Sequence, residues 1–471
     1  MSQAAVTRTS GGRGGHGPPR SLFGEVELRR IAHEALRQAE GDEAEAVVVA
    51  RTLELTRFAN SAIHQNVSSR EAQLQVRVVR GKRVAMLTTN DLGPEGITRV
   101  VKAASELARR VPENPEFGGL PEARPIPAAP SAFVDRTAAT TPLERARLAE
   151  RICLPARERS LAAAGYVSTS AQEIAVASTR GVWAYSPETR ANAEAVAIGA
   201  AGSAWAERSS IDVARVDADG LANEAIAKCL AAQGPRDLPA GTYEVVLEPY
   251  AVNDIGAFLG LSLTGVAVEE GRSFVGGKLG QRVTGDVTIR EDPFDPECVP
   301  RPFDFEGQPS HAVTLMEQGV ARAVVYDSAT AHRTGGENTG HALPPNSFLA
   351  CTPMHARIEA GTLTREDLIR GVRRGVLVTR FHYTRWVHQL RTIVTGMTRD
   401  GTFAIEDGEI AYPVKNFRFT QSYHDALAGT LGVGKDLHLF GASEFGGISA
   451  IARRVPALRL AAFTFTGTTQ Y

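Results

Sequence analysis

The chain has 471 residues, 43% of them hydrophobic and 22% charged, and 52 Lys and Arg against 53 Asp and Glu leave a formal net charge of −1. That length exceeds the roughly 250–300 residues one hydrophobic core supports, so several structural units are expected. Neutral charge supplies no basic footprint for nucleic acid or an anionic membrane, and no stretch approaches the roughly 18–20 uncharged residues of a membrane helix.

The 45 glycines, 25 prolines and 6% aromatic content predict a strand-rich protein with many tight turns. Cys153, Cys229, Cys298 and Cys351 show no C-x-x-C spacing, which points to reduced thiols rather than a disulfide framework or a zinc finger. The first residues hold no apolar signal core, so the expectation is a cytoplasmic protein.

Residues 1–20 are rich in Gly, Arg, Ser and Pro, with almost nothing to bury, and are expected to form a disordered tail. From Glu25 the spacing of Val26, Leu28, Ile31, Ala32, Leu36 and Ala39 predicts an amphipathic helix ending near Gly41. EAVVVARTLELTRFAN, SAIHQNVSS, AQLQVRVVRG and KRVAMLTTN predict an antiparallel meander, and residues 94–110 return to helical spacing. These make a first α/β unit over 21–110. A Pro/Ala/Gly-rich linker over 111–141 follows. A second α+β unit over 142–235 carries a helix at 142–157, strands near 173–188, 192–200 and 204–212, and a helix at 221–233. From 240 to 471 strand and turn patterns dominate, interrupted by short helical patterns near 250–262 and 364–375, the latter N-capped by Thr364. The predicted class is α+β, an α/β N-terminal region followed by a β-rich C-terminal domain.

Metal-binding motifs such as H-E-x-x-H are missing, and His332 and His341 lie within a Gly-rich run. In FHYTRWVH, period-two spacing puts His382, Trp386 and His388 on one face of a strand and Tyr383 on the other, a face suited either to a peptide groove or to a packed edge. Cys351, His341 or His355, and a carboxylate such as Glu306 supply the residue types of a thiol nucleophile, its base and an orienting group. The basic run Arg370, Arg373, Arg374, Arg380 and Arg385 reads as a solvated face balanced by Glu366 and Asp367, or as an anion site. No P-loop, G-x-S-x-G elbow or strand–GxGxxG–helix unit occurs.

Several long segments resemble the TldD/PmbA family, also called modulators of DNA gyrase, and its TldE (PmbA) branch in particular. They are TRFANSAIHQN (56–66), VVLEPYAV followed by AVEEGRSFVGGKLGQ (267–281), RPFDFEGQPS (301–310), VTRFHYTR (378–385), TGMTRDGTFAIEDGEI (395–410), PVKNFRFTQS (413–422) and VPALRLAAFTFTG (455–467). The resemblance implies a two-part architecture and a partner. In that family, TldD-like chains carry H-E-x-x-x-H and a later Cys as metal ligands, and pair with TldE-like chains into a metalloprotease that acts on unfolded peptides. Aligning the shared VVL-x-P stretch puts Ala257, Phe258 and Ser262 at the His, Glu and His positions, with about Ser443 where the Cys would stand.

The expectation is therefore a non-metal subunit with no cofactor of its own, zinc being held only by a TldD-like metallopeptidase partner. It would act on unfolded or extended peptides in cytoplasmic proteolysis or peptide maturation, without contacting nucleic acid or membrane. Self-association of the isolated chain stays open. Substrate-groove candidates are His382, Tyr383 and Arg399. The alternative is a family member recruited to Cys-dependent acyl transfer or amide formation in natural-product biosynthesis, with Cys351, His341 and Glu306 as its working groups. The older family title suggests a modulator of DNA topology enzymes, which neutral charge does not independently support.

Overall fold

The computed structural model describes residues 22–441 and 451–468. The predicted tail at 1–20 lies outside the described residues, as does Ser443. The N-terminal elements are α1 (Glu25–Gln38), β1 (Glu43–Ala59), β2 (Ala62–Arg80), β3 (Arg83–Thr89) and α2 (Pro94–Ala108). After the linker come α3 (Asp135–Ala138), α4 (Pro142–Glu158), β4 (Ala162–Ser178), β5 (Trp183–Ile198), β6 (Ser203–Ser210) and α5 (Ala218–Ala231). Helix α1 buries Leu28, Ile31, Ala32 and Ala35 along one stripe. A capping box opens α4, with Thr141 and Glu144 each satisfying the other's backbone N–H.

The six strands form one antiparallel sheet in the order β3-β2-β1-β4-β5-β6. The two units separated in the sequence reading thus share a sheet, joined where β1 runs against β4 from Glu45↔Ser178 to Phe58↔Gly165. Strand β4 starts eleven residues before the expected 173, because its AAAGYVSTSAQ start is dominated by small residues that carry little strand signal, yet it is paired on both sides. Strand β2 runs unbroken through Ser69 and Arg70, where polar residues suggested a turn, because β1 continues the ladder past them.

Both faces of this sheet are covered. Ala46, Val48, Leu74, Val76 and Val78 pack on α1 and α2, while α4 and α5 cover the Ala-rich faces of β5 and β6. The opposite face, through Val47, Val49, Ile174 and Val176, meets Phe303, Phe305, Leu343 and Met354 of the C-terminal region. Burial on two sides explains the continuous VVV run in β1, the pattern of a doubly covered strand.

The C-terminal region contains β7 (Gly241–Leu247), α6 (Pro249–Ser262), α7 (Gly265–Glu269), β8 (Ile289–Glu291), β9 (Val313–Glu317), β10 (Val320–Ala321), α8 (Ser328–Thr334), β11 (His355–Ile358) and α9 (Arg365–Arg370). There follow β12 (Arg374–His388), β13 (Ile393–Glu406), β14 (Glu409–Pro413), β15 (Phe417–Ser422), α10 (Tyr423–Ala428), β16 (Thr430–Val433), β17 (His438–Phe440), β18 (Ala452–Val455) and β19 (Leu458–Thr468). Strands β12-β7-β19-β15-β13 pair in series, and β12 also pairs with β13, closing a five-stranded barrel. Aromatic rings fill its core: Phe417 stacks on Phe465 at 4.5 Å and Phe381 packs on Phe419 at 4.7 Å. A second sheet, β10-β9-β8-β11-β18-β17, lies across α6, which packs against both β12 and β18. Helices α7, α8 and α10 were not expected; at five to seven residues each they are too short to carry a hydrophobic period.

One buried ionic cluster ties the two regions. Glu188 on β5 accepts from Arg190 Nη2 at 3.1 Å, from Gln172 Nε2 at 3.2 Å, and from Arg301 Nη2 of the C-terminal region at 2.6 Å. Beside it, the segment after Arg301 is folded into a tight loop by Asp304, whose Oδ1 accepts from Glu306 N and Gln308 N and whose Oδ2 accepts from Ala342 N. Gly307 closes that loop at φ +67°, where a Cβ would lie 2.4 Å from Val182. A second carboxylate, Glu291, accepts from the backbone N–H of Met354 and His355, and the rings of His341 and His355 lie 3.3 and 3.2 Å from its Oε1.

Glu188→Gln should cost about 3–5 kcal/mol, because it leaves two buried guanidinium groups without their counter-charge; the shift of the urea midpoint measures it. Glu291 is opposed by its own burial, yet the hydrogen bonds from His341 and His355 hold its pKa down at about 2, against an ordinary value of 4.5. Its stabilisation is therefore complete above 4.5 and is lost as pH falls from there toward about 2. Unfolding free energies across that range should fall less steeply in Glu291→Gln than in the wild type.

Candidate functional site

A cleft of about 1450 Å³ opens between the N-terminal sheet and the C-terminal region. One wall consists of Val49 and Arg51 of β1, residues 70–73 of β2 and residues 88–90 at the end of β3. Asn253 of α6, the loop around 343–349, Phe440 and Arg453 form the other. Phe348 stands in this opening with its side chain 95% exposed.

The β2 wall has an unusual property. Strand β3 reaches only as far as Thr89, opposite Leu74, so residues 62–73 of β2 pair with β1 on one side and with no described strand on the other. Alternate backbone N–H and C=O groups along this stretch face outward, and its last residues enter the cleft. An extended chain could therefore be taken up by main-chain hydrogen bonds.

The polar lining is shaped by burial. Glu207 has its pKa raised to about 8 by burial, with the neighbouring Glu194 adding to the shift and a hydrogen bond from Ser209 opposing it. Burial lowers the Arg453 guanidinium to about 10, against the pull of Asp254. Burial also lowers Arg51, reinforced by Arg190 and opposed by Glu71 and Glu188. Arg453 Nε donates to Asn253 Oδ1 at 2.9 Å, fixing the guanidinium against α6.

Helix α6 also carries the positions at which the family resemblance puts metal ligands. Phe258 sets its ring edge-on to Trp386 at 4.8 Å and to Tyr423 at 5.8 Å. Ser262 is buried, and its backbone carbonyl accepts from Ser273 Oγ at 2.6 Å. Ala257 has only a methyl group. Zinc needs nitrogen, thiolate or carboxylate donors in tetrahedral array and a base for its water. A methyl, a benzyl ring packed against two aromatics and a buried hydroxymethyl do not fit that requirement. Among the described residues no group of three or more His, Cys, Asp or Glu is arranged to hold an ion.

The other candidate residues fall in two places, neither within the cleft lining. Cys351, His341 and Glu306 are all buried beneath the interface, but each is engaged elsewhere. Cys351 Sγ donates to Val325 O at 3.6 Å, and its thiol pKa is raised far above the ordinary value by burial, with Asp327 and Glu306 adding. Nδ1 of His341 lies 2.9 Å from Thr339 Oγ1, and its Nε2 faces Glu291. Glu306 accepts from Ser328 N and Oγ, and burial raises it to about 7. Among the described residues no imidazole is hydrogen-bonded to the thiol, and the surroundings disfavour a thiolate.

His382, Tyr383 and Arg399 cluster on the outside of the barrel, where β12 and β13 pair as Arg380↔Arg399 and His382↔Met397. The expected alternation breaks here because the pairing shifts between His382 and Arg385 and Tyr383 adopts φ 56°. Tyr383 is 65% exposed and carries Arg385 over its ring at 5.2 Å, and His382 meets Tyr383 edge-on. Within the basic run, Arg370 pairs with Asp367 and Arg380 with Asp400. Arg51, Asn253, Phe348 and Arg453 went unnoticed in the sequence, where nothing marks them: they are distant in the chain and belong to no motif.

Comparison with known proteins agrees with this architecture. Residues 240–467 match the family model described as PmbA/TldA metallopeptidase C-terminal domain, and residues 44–108 match PmbA/TldA metallopeptidase domain 1. The chain is 24% identical to "Metalloprotease PmbA" of Escherichia coli O157:H7 over 429 residues, 87% of this chain and 92% of that one. It is 28% identical to a "Metalloprotease" of Methanothermobacter thermautotrophicus over 207 residues, 43% of this chain but only 44% of that relative. The crystal structure of TldE from Thermococcus kodakarensis superposes with a TM-score of 0.83 at 19% identity, covering 93% of this chain and all of that one, which establishes a common fold. With its barrel and second sheet inside one matched domain and its first three strands inside the other, the chain belongs to the PmbA/TldD family.

Proposed function

We propose that this chain is a TldE-like, non-metal subunit of a TldD/TldE-type metalloprotease assembly, acting in cytoplasmic proteolysis or peptide maturation. The observation that carries the reading is the filling of α6: where the resemblance implies His, Glu and His, this chain has Ala257, Phe258 and Ser262, with Phe258 packed between Trp386 and Tyr423. A helix rebuilt around aromatic packing keeps the family's scaffold without offering donors to an ion. Hydrolysis then falls to a TldD-like partner that holds the zinc.

Substrate handling is the remaining role, and the cleft supports it. The open edge of β2 enters a space large enough for several residues of extended chain. Strand addition draws its affinity from main-chain bonds and so accepts many sequences, which suits unfolded or extended peptides. The buried, hydrogen-bonded state of Cys351 lends no support to thiol-dependent acyl transfer.

Two measurements test the proposal. The purified chain should contain no stoichiometric zinc and should not cleave unfolded casein, whereas mixing it with a cognate TldD-like chain should give a complex on gel filtration and chelator-sensitive cleavage. Stoichiometric zinc with chelator-sensitive proteolysis by this chain alone would overturn it. Separately, an extended peptide N-methylated at alternate residues should bind about tenfold more weakly than the unmodified peptide in fluorescence anisotropy, as expected for the loss of main-chain hydrogen bonds; equal binding would exclude strand addition.

A further inference from the structure

The cleft is unevenly charged. Arg51, Arg70 and Arg453 line it against two carboxyl groups, Glu71 and Glu207. Because burial and Glu194 raise Glu207 to about 8, that carboxyl is mostly protonated near neutral pH, and the lining is left cationic.

Arg453 is the one of the three whose guanidinium is fixed by a side-chain hydrogen bond without an ion pair among the described residues. Its Nε is committed to Asn253 Oδ1, but among the described residues it makes no ion pair, and its Nη1 and Nη2 have no hydrogen-bond partner. The buried arginines near it contrast sharply. Arg190 and Arg301 share Glu188, and the neighbouring Arg454 of the same strand is paired with Asp295. A guanidinium that is held in orientation through Nε, stands in the wall of a cavity and keeps its two terminal nitrogens without partners among the described residues matches the two oxygens of a carboxylate. Arg51 stands in the lining of the same cleft and adds a second positive charge.

We propose that Arg453, oriented by Asn253 and supported by Arg51, forms a carboxylate subsite in the cleft, so that the chain favours extended peptides bearing a C-terminal carboxylate or an Asp or Glu side chain. This deepens the peptide-binding reading above and rests on it. Strand addition alone is indifferent to charge, whereas a guanidinium fixed in the cleft wall adds affinity for one anionic group and leaves the rest of the peptide unread.

The test uses the full-length chain and a hexapeptide of Ser, Thr and Val with fluorescein at its N-terminus, followed by anisotropy. Three forms are compared: the free C-terminal acid, the C-terminal amide, and the amide with one internal Glu. The acid or the Glu-bearing amide should bind about 10- to 100-fold more tightly than the plain amide, the range expected for hydrogen bonds between charged groups. Whichever form gains identifies the source of the carboxylate. In Arg453→Met that preference should vanish, all three forms binding the variant within about twofold of one another, and Arg51→Gln should reduce it. If all three forms bind wild type within about twofold of one another, the subsite is excluded while peptide binding stands. A preference that persists in folded Arg453→Met would exclude Arg453 as its source. If no form binds, the peptide-cleft reading fails and the subsite fails with it. The wild-type comparison alone decides the matter should Arg453→Met not fold.

Discussion

One carboxylate links the C-terminal region to the second face of the N-terminal sheet by a buried ionic contact. Glu188 sits in the interface with Arg190 on its own strand and Arg301 across the boundary. Removing three charges from water is costly, and only close, well-directed contacts repay it. Around this point the apolar contacts of Val47, Val49, Ile174 and Val176 with Phe303, Phe305 and Met354 supply area but little direction. The ionic cluster supplies direction. Arg190 also donates to the carbonyls of Gly441 and Ile451, so the same guanidinium that pairs with Glu188 sets the position of β17 and β18 at the floor of the cleft.

From this arrangement the chemistry of the cleft follows. The sheet contributes an open strand edge, the second C-terminal sheet contributes Arg453, and α6 contributes Asn253. Together they line one cleft, while helix α6 also packs Phe258 against Trp386 and Tyr423. The same helix thus serves the barrel core on one side and the cleft on the other.

Much of the fold was legible because it is local. The stripes of α1 and α2, the VVV run of β1 and the cap at Thr364 are short-range signals with direct physical causes. What escaped was non-local or weakly patterned. Strand β4 begins in Ala, Gly and Ser, whose small side chains give no alternation, and it exists because β1 and β5 flank it. The merging of 21–110 with 142–235 depends on pairing across a linker that no local signal records. Positions 257, 258 and 262 drew attention through the family resemblance, but the contact between Asn253 and Arg453 spans 200 residues and could come only from the folded chain. The groove suggested by His382 and Tyr383 rested on regular alternation, which the irregular pairing of β12 with β13 interrupts.

The barrel closes on itself and leaves no edge among its five principal strands, whereas β2 ends its ladder early and keeps one. An edge that offers only repeating backbone groups presents the same bonding pattern at every second residue, about 7 Å apart. Registers two residues apart along it are equivalent in main-chain bonding, so the edge by itself sets no register, and any register preference has to come from side chains in the cleft.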